Sequence, residues 1–411
     1  MGTNNYPVPS TGSSTSTVLP VNASSVILDG SLTSASTYTT TVNGNGGPAY
    51  LVANVNPATI TVGGTAYSVP ANTVVASKAF GASTSVTVAA NSTAPSTFIG
   101  STMSSASSWR GVAYGLVGAT PTFVAVAFNT TTAGAYSTNG TTWTASTMPS
   151  ASSWVNVTFG NGYFVAIQQS GTTAGAYSTN GSTWTASTMP SSSYWNGVAY
   201  GLVGATPTYV AVQSSGTTAG ASSTNGTTWT ARTMPSSSNW RSVTYGNGYY
   251  VAVADGPTTA GAYSANGTTW TASTMPSSVN WYGVAYGLVG ATPTYVAVQA
   301  SATTAGAYST DGINWTASTM PSADVWRGVT YGNGYFVAIQ QSATTTNAYS
   351  TNGITWIAGT MPSAGSWFNV AFGNGYFVAV QNSGTTAGAY FAQSALLPVN
   401  FGIYASSTTV N

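Results

Sequence analysis

Seven tryptophans, spaced alternately 45 and 41 residues apart, organise most of this chain. Each opens a near-copy of one unit, and the copies fill the chain from about residue 97 to residue 390. The seven are Trp109, Trp154, Trp195, Trp240, Trp281, Trp326 and Trp367. A period in the low forties is typical of a β-propeller blade or of a helical repeat. The fold therefore depends on what one unit forms.

Each unit contains four short strand-like runs, called a to d here. In the third copy they are residues 195–200, 209–213, 219–224 and 227–231. The dipeptide Asn225-Gly226 separates c from d, and Asn-Gly in such a place favours a type I′ turn, in which both central residues have positive φ. Helical periodicity is missing from the copies. The unit is predicted to be a four-stranded propeller blade.

The alternating interval has a local cause between runs a and b. Long copies carry Gly-Leu-Val-Gly-Ala-Thr-Pro-Thr there, as in 115–122. Short copies carry only Gly-Asn-Gly and one aromatic residue, as in 160–163. Both segments are predicted to be loops.

The two ends of the repeat region predict a closed ring. Residues 97–103 align with run d of later copies although no a, b or c precedes them. Residues 388–390 match run c, and no d follows them. An N-terminal strand d would complete the seventh blade, and closure removes the exposed edges of an open array. The predicted fold is all-β, with a seven-bladed propeller over residues 96–392.

The flanks do not repeat the blade. Residues 1–17 are expected to be an extended arm, and 18–95 a small antiparallel β domain for attachment or oligomerisation. Its strand-like runs are 25–28, 38–42, 49–53, 59–62 and 85–88. The tail 393–411 contains Leu-Pro-Val-Asn, which also occurs at residues 19–22, so it is expected to pack on the N-terminal domain.

Charge is nearly absent from the chain, with Lys+Arg 5, Asp+Glu 4 and a net charge of +1. Such a weak field argues against a nucleic-acid partner and favours association in a large assembly. Histidine and cysteine are absent, so neither disulfides nor a metal site built from them is expected, and no cofactor is. No leader for export and no long apolar run is visible, so we expect assembly in the cytoplasm without membrane insertion.

The segment between runs c and d resembles a known hairpin motif. Residues 136–143, Tyr-Ser-Thr-Asn-Gly-Thr-Thr-Trp, resemble the Asp-box hairpin of sialidase-like propellers, Ser-x-Asp-x-Gly-x-Thr-Trp, and they recur in six copies. The turn is one residue shorter, and Asn replaces Asp except at Asp311. With the phrase Trp-x-x-Val-Ala-Tyr-Gly-Asn-Gly-Tyr-Phe-Val-Ala-Val, the repeat is similar to those of tail and fibre proteins of tailed bacteriophages. The resemblance covers about 290 residues.

Catalysis is not expected. Sialidase-like enzymes resemble one another in an arginine triad for the substrate carboxylate, a Tyr/Glu nucleophile pair and an acid/base Asp. This chain has no Glu, and its four Asp residues occupy unrelated positions of the repeat: Asp29, Asp255, Asp311 and Asp324. The carboxylate pair of a glycosidase and a serine–histidine pair therefore cannot be assembled.

Three arginines, Arg110, Arg241 and Arg327, directly follow a blade-opening tryptophan. One interpretation is a ring of donors near the top of the central channel that holds a carboxylate, a sulfate or sugar hydroxyls. The other is that this position tolerates any residue, and the variety among the copies favours it. The remaining copies carry Val155, Asn196, Tyr282 and Phe368 there.

Loops supply the other candidate ligand residues. In a propeller the b–c loops and d–a linkers share one face, and the a–b loops emerge on the other. The candidates from the first face are Tyr194, Gln213, Ser214, Gln340 and Gln381. Such loops suit weak, multivalent carbohydrate binding and equally suit a passive hydrated surface. The blade tryptophans could stack on sugars, but their recurrence in every copy favours packing between blades.

These features predict a non-enzymatic structural protein of a bacteriophage virion, either a tail fibre or a surface decoration. Its N-terminal domain would contact other virion proteins, and its propeller would be an exposed head with a host-surface glycan as candidate ligand. The sequence leaves open whether the protein forms a homo-oligomer. It also leaves open two alternative functions, a lectin-like secreted or cell-surface binding module and a degenerate sialidase-like glycosidase.

Overall fold

The computed structural model describes residues 23–32, 37–42, 49–54, 58–69, 73–77, 84–90, 94–129, 131–342, 344–382, 387–392 and 399–406. Every regular element within these ranges is a β-strand, and none of the described residues forms a helix that could cross a membrane. The chain divides into two units, one within 94–393 and the other within 1–93 and 394–411.

The smaller unit contains two antiparallel four-stranded sheets. In order, the first comprises Ala23–Leu32, Val399–Ser406, Ala49–Asn54 and Thr73–Ala76, and the second Thr37–Val42, Thr84–Ala90, Ala58–Val62 and Thr65–Val69. All five predicted runs lie in strands. The strand Thr65–Val69 was not predicted, and it pairs with Ala58–Val62 because Gly63 and Gly64, at φ 54° and 82°, form a two-residue turn.

The C-terminal segment contributes a strand to this unit. Val399–Ser406 lies between Ala23–Leu32 and Ala49–Asn54 and is antiparallel to both. The described part of the tail therefore fills a central position in a sheet whose other strands precede the propeller in the sequence. The predicted arm 1–17 and residues 393–398 and 407–411 lie outside the described residues.

The larger unit is the predicted seven-bladed propeller. Each blade is an antiparallel sheet with its strands in the order a, b, c, d, and one long strand, Thr230–Gly246, serves as d of blade 3 and a of blade 4. The bounds are Ser108–Val117, Thr120–Phe128, Thr131–Ser137 and Thr144–Ser152 for blade 1; Trp154–Gly160, Tyr163–Gln168, Ala174–Ser178 and Thr185–Thr188 for blade 2; Trp195–Val203, Thr206–Gln213, Thr217–Ser223 and Thr230–Gly246 for blade 3; Thr230–Gly246, Tyr249–Asp255, Thr258–Ser264 and Thr271–Val279 for blade 4; Trp281–Val289, Thr292–Gln299, Thr303–Ser309 and Thr316–Asp324 for blade 5; Trp326–Gly332, Tyr335–Gln340, Thr346–Ser350 and Ile357–Thr360 for blade 6; Trp367–Gly373, Tyr376–Gln381, Gly388–Ala392 and Ile99–Ser101 for blade 7.

Closure by an N-terminal strand is confirmed. Ile99–Ser101 is strand d of blade 7 and pairs antiparallel with Gly388–Ala392, so that Tyr390 faces Ile99 and Gly388 faces Ser101. Strand a of each blade packs against strand a of the next, and that of blade 7 packs against that of blade 1. The ring is therefore complete.

The seven blade-opening tryptophans pack between blades. All seven are fully buried, and each indole Nε1–H donates to the carbonyl of the serine four residues earlier at 3.1–3.3 Å. Trp195, for example, contacts a cluster that includes Val165 and Ile167 of the preceding blade. They are not available as stacking platforms for a sugar.

A second ring of contacts joins consecutive blades. In every blade the glycine six residues after the tryptophan lies flat against an aromatic ring of the next blade, where an added Cβ would come within 2.0–2.3 Å of the ring. Gly246 contacts Tyr286 in this way, and Gly373 contacts Tyr114, which completes the circle. Only glycine fits there, which explains why the sequence repeats it.

The segment between a and b in the long copies is not a loop. In blade 3, Gly201, Leu202 and Val203 pair with Thr208, Pro207 and Thr206, so both strands are extended and only two residues form the turn. The predicted loop was wrong because the central Gly204, with φ 61°, reverses the chain and the apolar residues around it continue the ladder.

The c–d turn also differs from the prediction. Positive φ at both central residues occurs in the a–b turns of the short blades, as at Asn161 and Gly162, whereas in the c–d turn of blade 3 only Gly226 has it. There Ser223 Oγ accepts the N–H of Gly226 at 2.9 Å, and Asn225 Oδ1 accepts the N–H groups of two threonines, Thr227 at 3.0 Å and Thr228 at 2.9 Å. Side-chain acceptors therefore hold this turn.

Candidate ligand site in the central channel

A β-bulge sets the position of the site in every blade. The register between strands a and b shifts at the residue that follows the tryptophan, and this residue has no partner in the pairing register. Bulges re-aim side chains away from the regular alternation of a strand. The bulge residues of blades 1 to 7 are Arg110, Val155, Asn196, Arg241, Tyr282, Arg327 and Phe368.

These seven residues surround one cavity in the central channel. It lies at the end of the channel at which the d–a linkers and the b–c loops are found. The cavity has a volume of about 90 Å³, and all seven blades contribute lining residues from their innermost strand. Position three of the strand also lines it, with Asn156, Ser242 and Asn369 among the contributors. The bulge thus directs one variable side chain per blade into a common space.

Cations and aromatic rings alternate around this cavity over five consecutive blades, from blade 4 to blade 1. The Tyr282 ring lies between Arg241 and Arg327, whose Cζ atoms are 4.1 Å and 4.0 Å from its centroid. The Phe368 ring lies between Arg327 at 4.9 Å and Arg110 at 4.4 Å. Each contact is a cation–π interaction, worth about 0.5–2 kcal/mol depending on its desolvation.

Two residues at the ends of strands b complete the arrangement. Phe128 of blade 1 packs against Arg110, with 3.6 Å from Cζ to the ring centroid. Asp255 of blade 4 faces Arg241, with 3.9 Å between Oδ2 and Nε. Among the described residues, this is the single ion pair that meets ordinary distance limits.

The cavity is cationic at neutral pH. Burial, followed by the positive charge of Arg327, lowers the pKa of Arg110 to about 10. Burial also lowers the pKa values of Arg241 and Arg327 to about 10, although the charge of Asp255 acts in the opposite direction on both. All three guanidinium groups remain protonated at pH 7, and their neighbouring charges repel one another.

The structure brings together three of the eight residues that the sequence nominated as ligand candidates, Arg110, Arg241 and Arg327. Five others are not among the cavity-lining residues: Tyr194, Gln213, Ser214, Gln340 and Gln381. Of these, Tyr194 is 48% exposed on a d–a linker, and Ser214 lies beside it in the neighbouring b–c loop, where its N–H donates to the Tyr194 carbonyl at 2.9 Å.

The glutamines at the ends of strands b hold loops. Gln213 is fully buried, and its side-chain amide donates to Thr217 while its Oε1 accepts the N–H of Ser215 at 2.6 Å. Gln340 makes the equivalent bonds to Thr344, and Gln381 is also buried. Gln213 and Gln340 thus bind their b–c loops from inside, and all three glutamines are buried.

Sequence reasoning missed four residues of the site: Phe128, Asp255, Tyr282 and Phe368. A comparison among the seven copies could have found the first two, because Phe128 and Asp255 occupy the position after the strand-b glutamine, and blades 1 and 4 replace that glutamine by Ala127 and Ala254. Both replacements occur in blades that carry a bulge arginine. Within the described residues, no group of three Asp, Glu, His or Cys side chains could hold a metal ion.

Comparison with known proteins identifies the fold alone. No protein-family model matches the sequence, and no curated protein matches it. Among solved structures, YCF48 from Cyanidioschyzon merolae is similar with a TM-score of 0.52 and 14% identity, over 75% of this chain and 98% of that chain. The computationally designed Ika8 protein has a TM-score of 0.46 and 9% identity, over 72% of this chain and 100% of that chain, which is too distant to carry an argument.

Proposed function

We propose that this protein is a non-enzymatic structural protein of a tailed-bacteriophage virion, a tail fibre or surface decoration, whose propeller is an exposed head that binds host-surface glycan. The smaller β unit attaches it to other virion proteins. The observation that carries the binding role is the cavity in which three arginines and two aromatic rings alternate. Arginine and aromatic side chains are the groups that hold charged and ring-shaped ligand parts.

The carboxylates of the propeller support a binding role over a catalytic one. Asp255 is paired with Arg241, Asp311 accepts hydrogen bonds within a c–d turn, and Asp324 accepts one from Ser322 at 2.6 Å. Each thus has a local structural partner, and the three come from different positions of the blade. Hydrolysis of a glycosidic bond needs two carboxylates that flank it.

The virion assignment rests on the resemblance of the repeat. The phrases Trp-x-x-Val-Ala-Tyr-Gly-Asn-Gly-Tyr-Phe-Val-Ala-Val and Ser-Thr-Asn-Gly-Thr-Thr-Trp are similar to repeats of phage tail and fibre proteins. A nearly uncharged chain, with a net charge of +1, also suits a protein that ends in a large assembly.

Purified particles test the virion role. We expect mass spectrometry of density-purified virions to detect this chain in stoichiometric amount, and immunogold labelling to locate it on the tail or the capsid surface. Finding it as a free monomer in cells that carry no phage would contradict the proposal and favour a lectin-like module unconnected with a virus.

A glycan array with the full-length chain tests the binding role. We expect binding that Arg327→Gln weakens, whereas Arg232→Gln leaves it unchanged, because the Arg232 side chain contacts Ser222 on the outer part of blade 3. The absence of binding to any glycan would leave the propeller a purely structural element. Release of sugar from any array ligand would revive the glycosidase alternative.

A further inference from the structure

The charge balance of the channel cavity points to the kind of ligand it takes. Arg110, Arg241 and Arg327 supply three positive charges, and Asp255 is the carboxylate that faces them. Asp255 lies 3.9 Å from Arg241 and offsets one of the charges. Two positive charges are left in a cavity of about 90 Å³.

Two of the arginines also have hydrogen-bond donors without partners. The Nε–H groups of Arg110 and Arg327 are buried and make no hydrogen bond. Buried donors of charged groups are costly when they are unpaired, so these two are suited to a ligand that accepts hydrogen bonds from them. Both belong to arginines whose positive charges repel each other.

The aromatic contacts hold the guanidinium groups of the cavity in place. A guanidinium carries five N–H donors in its plane. On Arg327 one of them is donated from Nη1 to the Tyr282 hydroxyl, whereas the Nε–H has no partner. The Tyr282 and Phe368 rings each contact two arginines. The three cations are therefore fixed in direction before a ligand arrives, which lowers the entropic cost of binding.

We propose that the channel cavity binds one tetrahedral oxyanion of charge −2, inorganic sulfate or a phosphate monoester, with Arg110 and Arg327 as its donors. Such a group has several oxygens to accept the in-plane N–H groups and cancels both remaining charges, whereas a carboxylate cancels one. This rests on the proposed function in one respect, that the group is carried by a host glycan; the oxyanion chemistry follows from the cavity itself.

Calorimetric titration of the full-length chain tests the charge requirement. The probes are sodium sulfate, inorganic phosphate and sodium acetate at equal ionic strength. We expect sulfate to bind at least about tenfold more tightly than acetate, since a second charge-assisted hydrogen bond is added. Equal binding of acetate and sulfate would overturn the proposal.

Variants test the location. Arg110→Gln and Arg327→Gln should each weaken sulfate binding about tenfold or more. Arg232→Gln is the matched control, because it removes an arginine from blade 3 outside the cavity and should have no effect. Asp255→Asn should strengthen binding, because it removes the competing carboxylate. A variant that merely unfolds could not bind more tightly, so this gain is distinguishable from misfolding. An unchanged or weaker affinity in Asp255→Asn would overturn the proposed site.

The pH dependence separates a dianion from a monoanion. A phosphate monoester has a second pKa of about 6, so it carries two charges at pH 8 and one at pH 5. Glucose 6-phosphate should therefore bind several-fold more tightly at pH 8 than at pH 5. Glucose 6-sulfate, which carries one charge at both pH values, should bind weakly and equally at both, because the arginines, with pKa values of about 10, stay charged throughout. A monoester that binds better at pH 5 would overturn the proposal.

The same titrations distinguish the source of the group. If inorganic phosphate binds as tightly as glucose 6-phosphate, the cavity recognises the free ion, and the glycan part of the proposed function loses its support. If sugars on the array bind and no oxyanion does, the oxyanion proposal fails while the proposed function stands.

Discussion

Two rows of side chains circle the propeller, and their members are adjacent in the sequence. One row is identical in all seven blades, whereas the other differs from blade to blade. The first row is the seven tryptophans, which are identical in every blade, fully buried and bonded to a serine carbonyl in the same way. The second row is the bulge residues, which include three arginines, two aromatics, a valine and an asparagine.

The difference between the two rows shows at which positions the copies of the repeat can carry different residues. Interfaces between blades repeat seven times, so a residue that fits one interface is needed in all of them. A bulge residue makes no ladder pair and faces the channel, so it can change without disturbing a blade. The channel end is therefore the region in which the copies can become different, and the three arginines lie there.

Trp281 and Tyr282 are adjacent members of the two rows, and exchanging each for alanine gives the sharpest test. Trp281→Ala should lower the free energy of unfolding by about 3–5 kcal/mol, because it leaves a large cavity between blades. Tyr282→Ala should cost clearly less and should instead weaken sulfate binding, because it removes the ring shared by Arg241 and Arg327. Chemical denaturation and calorimetric titration measure the two effects. Equal losses of stability would show that both rows are structural.

Gly246→Ala tests the ring of glycine–aromatic contacts at the other end of strand a. Its Cβ would come within 2.0 Å of the Tyr286 ring, so we expect a loss of about 1–3 kcal/mol from overpacking. Gly100→Ala is the control, because its nearest neighbour, Pro362, would be at an ordinary 3.6 Å. If both variants unfold at the same denaturant concentration, the interface is less tightly packed than the contact distances indicate.

The smallest expected effect is a change in acid stability, and it depends on Asp311 in the c–d turn of blade 5. Burial alone would raise the pKa of Asp311, but hydrogen bonds from Asn314, Ile313 and Ser309 lower it to about 2. Because the folded-state pKa is depressed, the stabilisation is present above pH 4 and is lost as the pH falls through 2.

The matched variant is Asp311→Asn, which restores the residue of the other turns. After allowance for solvent screening, we expect wild type to lose about 1 kcal/mol relative to this variant between pH 5 and pH 2. Thermal melts of both chains at the two pH values measure the difference. A constant difference between the two chains would contradict the assigned hydrogen bonds.

Much of the fold could be predicted because it depends on local patterns that are repeated seven times. The period identified the blade, and unmatched runs at the two ends identified the closing strand Ile99–Ser101. The c–d turn was predicted with the wrong geometry, because the side chains of Ser223 and Asn225 offer hydrogen bonds that compete with a backbone turn. For the hairpins of the long blades the sequence predicts loops, because glycine and proline flank them.

The candidate site was less predictable than the fold. Arg110, Arg241 and Arg327 stood out in the sequence through their charge, but their partners did not. Tyr282 and Phe368 resemble the many other aromatic residues of this chain, and Phe128 differs from its equivalents in other blades only when the copies are aligned. Gln213 and Gln340 had the chemistry of ligand residues, but they are buried inside their own loops.

The sequence by itself determined the all-β class, the number of blades and the closure of the ring, because strand periodicity, turn residues and repeat spacing are local properties. Only the tertiary structure decided which variable residues meet. Arg110 and Arg327 are more than 200 residues apart in the chain, and they lie around one cavity because seven bulges direct side chains from seven blades toward the same axis. That convergence is a property of the closed ring, and no single blade contains it.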